Sequence, residues 1–79
     1  MGKVSDYRVP QARAHRLHAE SLRLQAEATR LHADFHIGPE HRASMYISAA
    51  SSEATAETYD RLASELEAEM ASDGRQVTA

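Results

Sequence analysis

The most restrictive feature of the sequence is a seven-residue repeat in its N-terminal half. Residues 16–22, 23–29 and 30–36 read RLHAESL, RLQAEAT and RLHADFH, so the pattern Arg-Leu-(His/Gln)-Ala-(Glu/Asp) occurs three times in succession. A period of seven is typical of an α-helix that packs against another helix along one seam, as in a coiled coil. The repeat therefore predicts a helix with one continuous packing face.

The leucines of the repeat are its largest apolar side chains, and they predict where that face lies. If Leu17, Leu24 and Leu31 occupy one of the two seam positions of each heptad, small residues and one phenylalanine occupy the other. We name the whole set the leucine stripe: Ala14, Leu17, Ser21, Leu24, Ala28, Leu31 and Phe35. We expect the leucine stripe to be the buried face of the first helix.

One break divides the helical part of the chain. Gly38 can adopt the left-handed conformation that ends a helix, and Pro39 suits the first turn of the next helix because its missing N–H is not needed there. We expect a first helix over residues 10–37, a turn at 37–39 and a second helix over 39–72. Asp73 and Gly74 should end the second helix, which leaves flexible tails at residues 1–9 and 74–79.

The second helix carries its own stripe, with alternating steps of four and three residues. We name it the second stripe: Met45, Ala49, Ser52, Ala56, Tyr59, Ala63, Leu66 and Met70. Two stripes joined by a short turn predict an all-α fold, a two-helix antiparallel coiled-coil hairpin in which the stripes face each other.

Alanine makes up much of the apolar content, and this limits the core. The chain has 42% hydrophobic residues, but nearly half of them are alanines, which add little apolar burial. Four larger residues lie outside the predicted seam: Leu22, Tyr46, Ile47 and Leu62. We therefore expect a homodimer, in which two hairpins form a four-helix bundle. These four residues are the candidate partner interface, either between the two copies or for docking on a larger host protein.

Charge is divided unevenly between the two helices. Residues 10–37 carry four Arg and three acidic residues, a net charge of +1, whereas residues 39–72 carry two Arg and seven acidic residues, a net charge of −5. This difference favours antiparallel pairing of the first helix with the second. It also leaves an acidic strip with Glu53, Glu57 and Asp60 as a candidate contact for a larger host protein.

Histidines and arginines suggest two further ligand classes. The spacing of His32, His36 and His41 around the turn makes them weak candidate metal ligands, but flanking histidines in contact with solvent or acidic groups explain the same spacing. Arg16, Arg23 and Arg30 line one edge of the first helix, where Glu20, Glu27 and Asp34 follow them at helical spacing. Because these charges balance, we do not expect a nucleic-acid surface.

The remaining chemistry is largely excluded by size and composition. A chain of 79 residues folded as a hairpin offers no water-excluding pocket for a nucleophile and its base, so we expect neither an enzyme nor a small-molecule substrate or cofactor. No apolar run is long enough to cross a membrane. The lack of cysteine is compatible with the reducing cytoplasm.

The sequence thus predicts a small non-enzymatic protein–protein interaction module. Eight Arg against one Lys, with no Asn, indicates a GC-rich genome, so we expect an accessory protein of a high-GC bacterium or its phage that binds and modulates a host protein.

The alternative is a self-assembling secreted protein. A cysteine-free hairpin with Gly38 in its central turn resembles the WXG family of secreted actinobacterial helical dimers. The turn here lacks the tryptophan, and Ala63 stands where the family's C-terminal signal, beginning at Tyr59, would have an acidic residue. The resemblance is one of architecture, and it implies a secreted structural dimer.

Overall fold

Two helices account for nearly all of the chain in a computed structural model, which describes residues 6–35 and 38–78, with side chains up to residue 74. Helix α1 spans Arg8–Asp34 and helix α2 spans Pro39–Thr78. The described residues contain no strand, and the two helices pack against each other. The predicted all-α helical hairpin is confirmed.

The hairpin is long and thin. Its principal extents are 61 × 23 × 11 Å, and 61 Å is close to the ~60 Å that 40 helical residues span at ~1.5 Å each. The radius of gyration is 18.5 Å, compared with about 12 Å for a compact domain of this length. The hairpin is therefore as long as α2, as wide as two helices side by side and as thick as one helix.

Helix α1 begins two residues earlier and ends three residues earlier than the sequence predicted. At its start, the Asp6 carboxylate accepts a hydrogen bond of 3.0 Å from the Arg8 backbone N–H. At its end, the Phe35 N–H donates to the His32 carbonyl at 3.1 Å, which tightens the last turn. No described glycine has a positive φ, so the expected left-handed Gly38 is wrong. Ile37, the predicted last residue, lies outside the described residues.

Helix α2 begins at Pro39 as predicted, and the Gly38 carbonyl accepts the Arg42 N–H at 3.0 Å. The predicted stop at Asp73 and Gly74 is wrong, because α2 continues to Thr78. One glycine inside a helix costs only about 1 kcal/mol, which is too little to end a helix of this length. A Cβ at Gly74 would meet no other atom within 4 Å.

The core consists of alanines that recur every seventh residue on both helices. Their exposed fractions lie between 0 and 4%. We name the α1 members the alanine row: Ala12, Ala19, Ala26 and Ala33. On α2 the buried alanines are Ala49, Ala56 and Ala63. Because alanine has only a methyl side chain, these rows let the two helix axes approach closely.

Half-buried residues fill the positions between the alanines. On α1 these are His15, Leu22 and Thr29, and on α2 they are the non-alanine members of the second stripe. Every residue of the second stripe is buried or half-buried, so it lies on the packed side of α2 as predicted. Small residues and larger ones thus alternate along both sides of the seam.

The leucine stripe is not the buried face of α1, and that prediction is wrong. Leu17, Leu24 and Leu31 are 49, 60 and 54% exposed, and Phe35 is 84% exposed. The other members, Ala14, Ser21 and Ala28, are exposed as well. In each heptad the alanine row lies two positions before Ala14, Ser21, Ala28 and Phe35, so the packed face of α1 is about 160° around the helix from the predicted one.

Arginine pairing with α2 explains this orientation. Arg16, Arg23 and Arg30 follow the alanine row by four positions, which places them at the edge of the seam beside acidic residues of α2. A seam on the leucine stripe would turn these guanidinium groups away from α2. The second stripe also brings large side chains to the seam, and alanines opposite them leave room.

We predict that the seam does not tolerate a larger residue in the alanine row. Ala19→Leu adds three carbons at a fully buried position, and we expect a loss of about 1–3 kcal/mol in the free energy of unfolding. Chemical denaturation at one fixed protein concentration measures this loss.

Ala54→Leu is the matched control, because Ala54 is exposed on α2 and its substitution leaves the seam unchanged. An equal effect of the two substitutions would contradict the assignment of the seam.

Candidate functional site

The leucine stripe carries four of the nine exposed large hydrophobic side chains among the described residues: Leu17, Leu24, Leu31 and Phe35. From Ala14 to Phe35 it covers three heptads, which corresponds to about 32 Å along the helix. It faces away from α2, and its seven members are exposed. A heptad stripe of this length is typical of a helix face that packs against another helix.

Two rows of polar residues border the leucine stripe, and they differ in charge. One edge carries Arg13, Glu20, Glu27 and Asp34. The other edge carries Gln11, His18, Gln25 and His32. All eight side chains are exposed. The first edge is mainly acidic and the second has no acidic residue, so the stripe has distinct sides.

One edge of the seam carries charged contacts between the helices, which we name the ion-pair ladder. The Arg30 guanidinium contacts both carboxylate oxygens of Glu53, at 2.8 and 2.5 Å. Arg23 contacts Asp60 at 2.5 Å. Arg16 contacts Asp60 at 3.1 Å and Glu67 at 2.7 Å.

The contacts of the ion-pair ladder shift the pKa values of several of its members. Hydrogen bonding from Arg23 holds the pKa of Asp60 below its ordinary value, and hydrogen bonding from Arg30 does the same for the pKa of Glu53. The pKa values of Arg16 and Arg30 are raised by their carboxylate partners. The Arg30–Glu53 and Arg16–Asp60 contacts therefore favour the charged forms of both partners.

The ion-pair ladder changes the interpretation of two predicted features. The spacing suggested that the arginines of the repeat pair with neighbouring acids of their own helix. They contact acidic residues of α2 instead. The predicted acidic strip is mostly engaged inside the hairpin, because Glu53 and Asp60 belong to the ladder. Of the three residues predicted to contact a larger host protein, only Glu57 is an exposed side chain outside the ladder.

The four residues predicted as a dimer interface do not form one surface. Leu22 is half-buried in the seam, which contradicts its predicted place outside it. Ile47 is 71% exposed, whereas Tyr46 and Leu62 are 38 and 37% exposed. The Tyr46 hydroxyl donates a hydrogen bond to the Asp34 carboxylate, which ties the two helices together near the turn. The apolar surface with a continuous period is the leucine stripe instead.

A cluster of rings lies in the middle of the seam, and the sequence pattern did not reveal it. The ring of Tyr59 lies 5.6 Å from that of His15 and 4.9 Å from that of His18, between ring centres. The Nδ1 atom of His15 is buried without a hydrogen-bond partner. His15 lies three residues after Ala12 of the alanine row, and this spacing could have predicted its place in the seam. The larger leucines made the leucine stripe the more prominent pattern.

The candidate metal ligands His32 and His41 do not belong to a cluster of three or more metal-binding side chains among the described residues. His32 and His41 are exposed, and His36 lies outside the described residues. No group of three or more metal-binding side chains converges within residues 6–35 and 38–74.

Neither helix, over the part that the structure describes, has an apolar stretch sufficient to span a bilayer.

No protein-family model, curated protein or solved structure matches the chain significantly. No match supports the resemblance to the WXG family, which stays a prediction. The surface of the hairpin itself is what indicates a function.

We predict that the hairpin becomes less stable in acid, because the ion-pair ladder loses its stabilising effect there. The pKa values of Asp60 and Glu53 are lower in the hairpin than in the unfolded chain, so their contribution to stability is complete above the ordinary carboxyl pKa of about 4. It is lost as the pH falls below that value. We expect the thermal unfolding midpoint to fall between about pH 5 and pH 3.

Asp60→Asn should lower this midpoint at pH 7 and make it less sensitive to acid, because a neutral amide side chain cannot carry the charge that pairs with two arginines. Glu57→Gln is the control, since Glu57 is outside the ladder. Equal midpoints and equal acid sensitivity for the two variants would show that the ladder does not stabilise the hairpin.

Proposed function

We propose that this protein is a small non-enzymatic protein–protein interaction module that acts through self-association, with two hairpins forming a four-helix assembly. The observation that supports it best is the leucine stripe, a three-heptad apolar surface that has no partner within the hairpin. Exposed apolar patches of this kind are typical of association sites.

The thinness of the core supports the same proposal. The side chains that are at least nine-tenths buried are alanines, and no large side chain is fully buried among the described residues. Small domains with so little apolar burial are commonly stabilised by oligomerisation. Association along the leucine stripe would bury leucines that folding of the single hairpin leaves in water.

The charged side chains favour a protein partner over nucleic acid. The arginines that line one edge of α1 form ion pairs with acidic residues of α2. A phosphate backbone would have to compete with these carboxylates for the same guanidinium groups. The net charge of −3 also opposes binding to a polyanion.

The proposal includes a cytoplasmic location and an accessory role in a bacterium or phage. A chain without cysteine does not depend on an oxidising compartment for its fold. The alternative partner is a helix of a larger host protein that packs on the same leucine stripe, and the alternative location is that of a secreted, WXG-like dimer.

We predict that the purified protein has a mass of 17.4 kDa in solution, twice the 8.7 kDa of one chain. Sedimentation equilibrium over a range from about 1 to 100 µM measures this mass. The thermal unfolding midpoint should rise with protein concentration, because association stabilises the folded state by mass action.

A helical particle of 8.7 kDa with a concentration-independent midpoint would overturn self-association. The leucine stripe would then be available to a different protein, and the alternative partner would become the leading hypothesis.

A further inference from the structure

We infer that the leucine stripe of α1 pairs in parallel with the leucine stripe of a second copy of this chain. This rests on the proposed self-association and adds which surface is used and in which direction. The two α1 helices would lie side by side at the centre of the dimer, and each α2 would lie on the outside, still held by its own alanine row and ion-pair ladder.

The order of residues in the stripe fits a two-stranded coiled coil. Leucine occupies one seam position in each of three heptads, and the other seam position holds Ala14, Ser21, Ala28 and Phe35. In a parallel pair, each residue lies beside the same residue of the other helix. Layers of paired leucines would then alternate with layers of paired small residues, and the two Phe35 rings would close the end nearest the turn.

Charge at the borders of the stripe sets the direction. In a parallel pair, the mainly acidic border of one copy faces the other border of its partner, which has no acidic residue. Glu20 then lies near Gln25 of the second copy, and Glu27 lies near His32 of the second copy. These contacts bring no two acidic residues together.

An antiparallel pair would instead place each border against itself. Glu20 would then lie near Glu27 of the second copy, and this repulsion would occur twice in the middle of the interface. Arg13 and Asp34 would attract each other at the two ends. These two attractions lie at the ends of the interface, where solvent and salt screen charges more than in the middle, so the charges favour the parallel pair.

The other surfaces of the hairpin fit a second copy less well. The ladder side carries charged groups that are already paired, and bringing two such sides together would remove their solvation. On the outer side of α2, the residues at seven-residue spacing after Ile47 are Ala54, Arg61 and Ala68. No continuous row of large apolar residues follows Ile47 there.

Disulfide cross-linking tests the inference, because the chain has no cysteine of its own. Ala14→Cys and Ala28→Cys each introduce one thiol between the leucines and leave the leucines in place. In a parallel pair, the new cysteine of one chain lies beside the same cysteine of the other chain. Their Cα atoms are then within the separation of about 4.4–6.8 Å that a disulfide requires. We expect mild oxidation to convert most of either variant to covalent dimer.

Ala54→Cys on the outer side of α2 is the control, and we expect little covalent dimer from it. Efficient cross-linking of Ala54→Cys, with none at positions 14 and 28, would overturn the choice of surface. Cross-linking that requires a mixture of Ala14→Cys and Leu31→Cys chains, and is absent from Ala14→Cys and Ala28→Cys alone, would overturn the parallel direction.

A second pair of variants separates this inference from self-association itself. Leu24→Glu places two carboxylates in the middle layer of the interface, and we expect the dimer dissociation constant to rise at least ten-fold while the helical circular dichroism of the concentrated protein persists. Ile47→Glu, on the outer side of α2, should leave the dissociation constant unchanged.

The reverse result, a dimer that survives Leu24→Glu and dissociates with Ile47→Glu, would contradict this inference and leave self-association intact. A wild-type chain that sediments as a monomer at about 100 µM would contradict both.

Discussion

The close approach of two alanine-lined helices is the constraint on which the rest of the hairpin depends. With alanines at 0 to 4% exposure along both helices, the axes lie near enough for the arginines at the edge of α1 to reach the carboxylates of α2. Larger residues at those positions would separate the helices and weaken the same contacts. The small core and the ion-pair ladder are therefore two consequences of one packing arrangement.

The orientation of α1 reflects a competition between two heptad stripes. Burial of apolar area favours the leucine stripe, since leucine buries far more surface than alanine. The alanine row wins because it fits the large residues of the second stripe and places Arg16, Arg23 and Arg30 beside α2. Because the alanine row forms the packed face, the leucines remain on the surface, where they are the best candidate for contact with another chain.

Much of the fold could be predicted from the sequence, because its signals are local. The heptad repeat indicated the helix, Pro39 indicated the start of α2, and the second stripe was placed on the packed side of α2. The orientation of α1 depends on complementarity between two helices, which the pattern of one helix does not contain. A usable signal was present in the shared seven-residue spacing of the arginines and of Glu53, Asp60 and Glu67. The end of α2 was missed because the effect of Gly74 was overestimated.

The contacts of Arg8 have a consequence for how the hairpin opens. Its guanidinium group binds Asp6 at 2.8 Å and Asp73 at 2.7 Å, so the beginning of α1 is fastened to α2 at the end far from the turn. Helix ends that meet without such a fastening fray first and expose their backbone amides to exchange. With one covalent closure at the turn and one electrostatic closure at Arg8, α1 is held to α2 near both of its ends. An N-terminal deletion that removes Arg8 would let the two helices separate first at the end far from the turn.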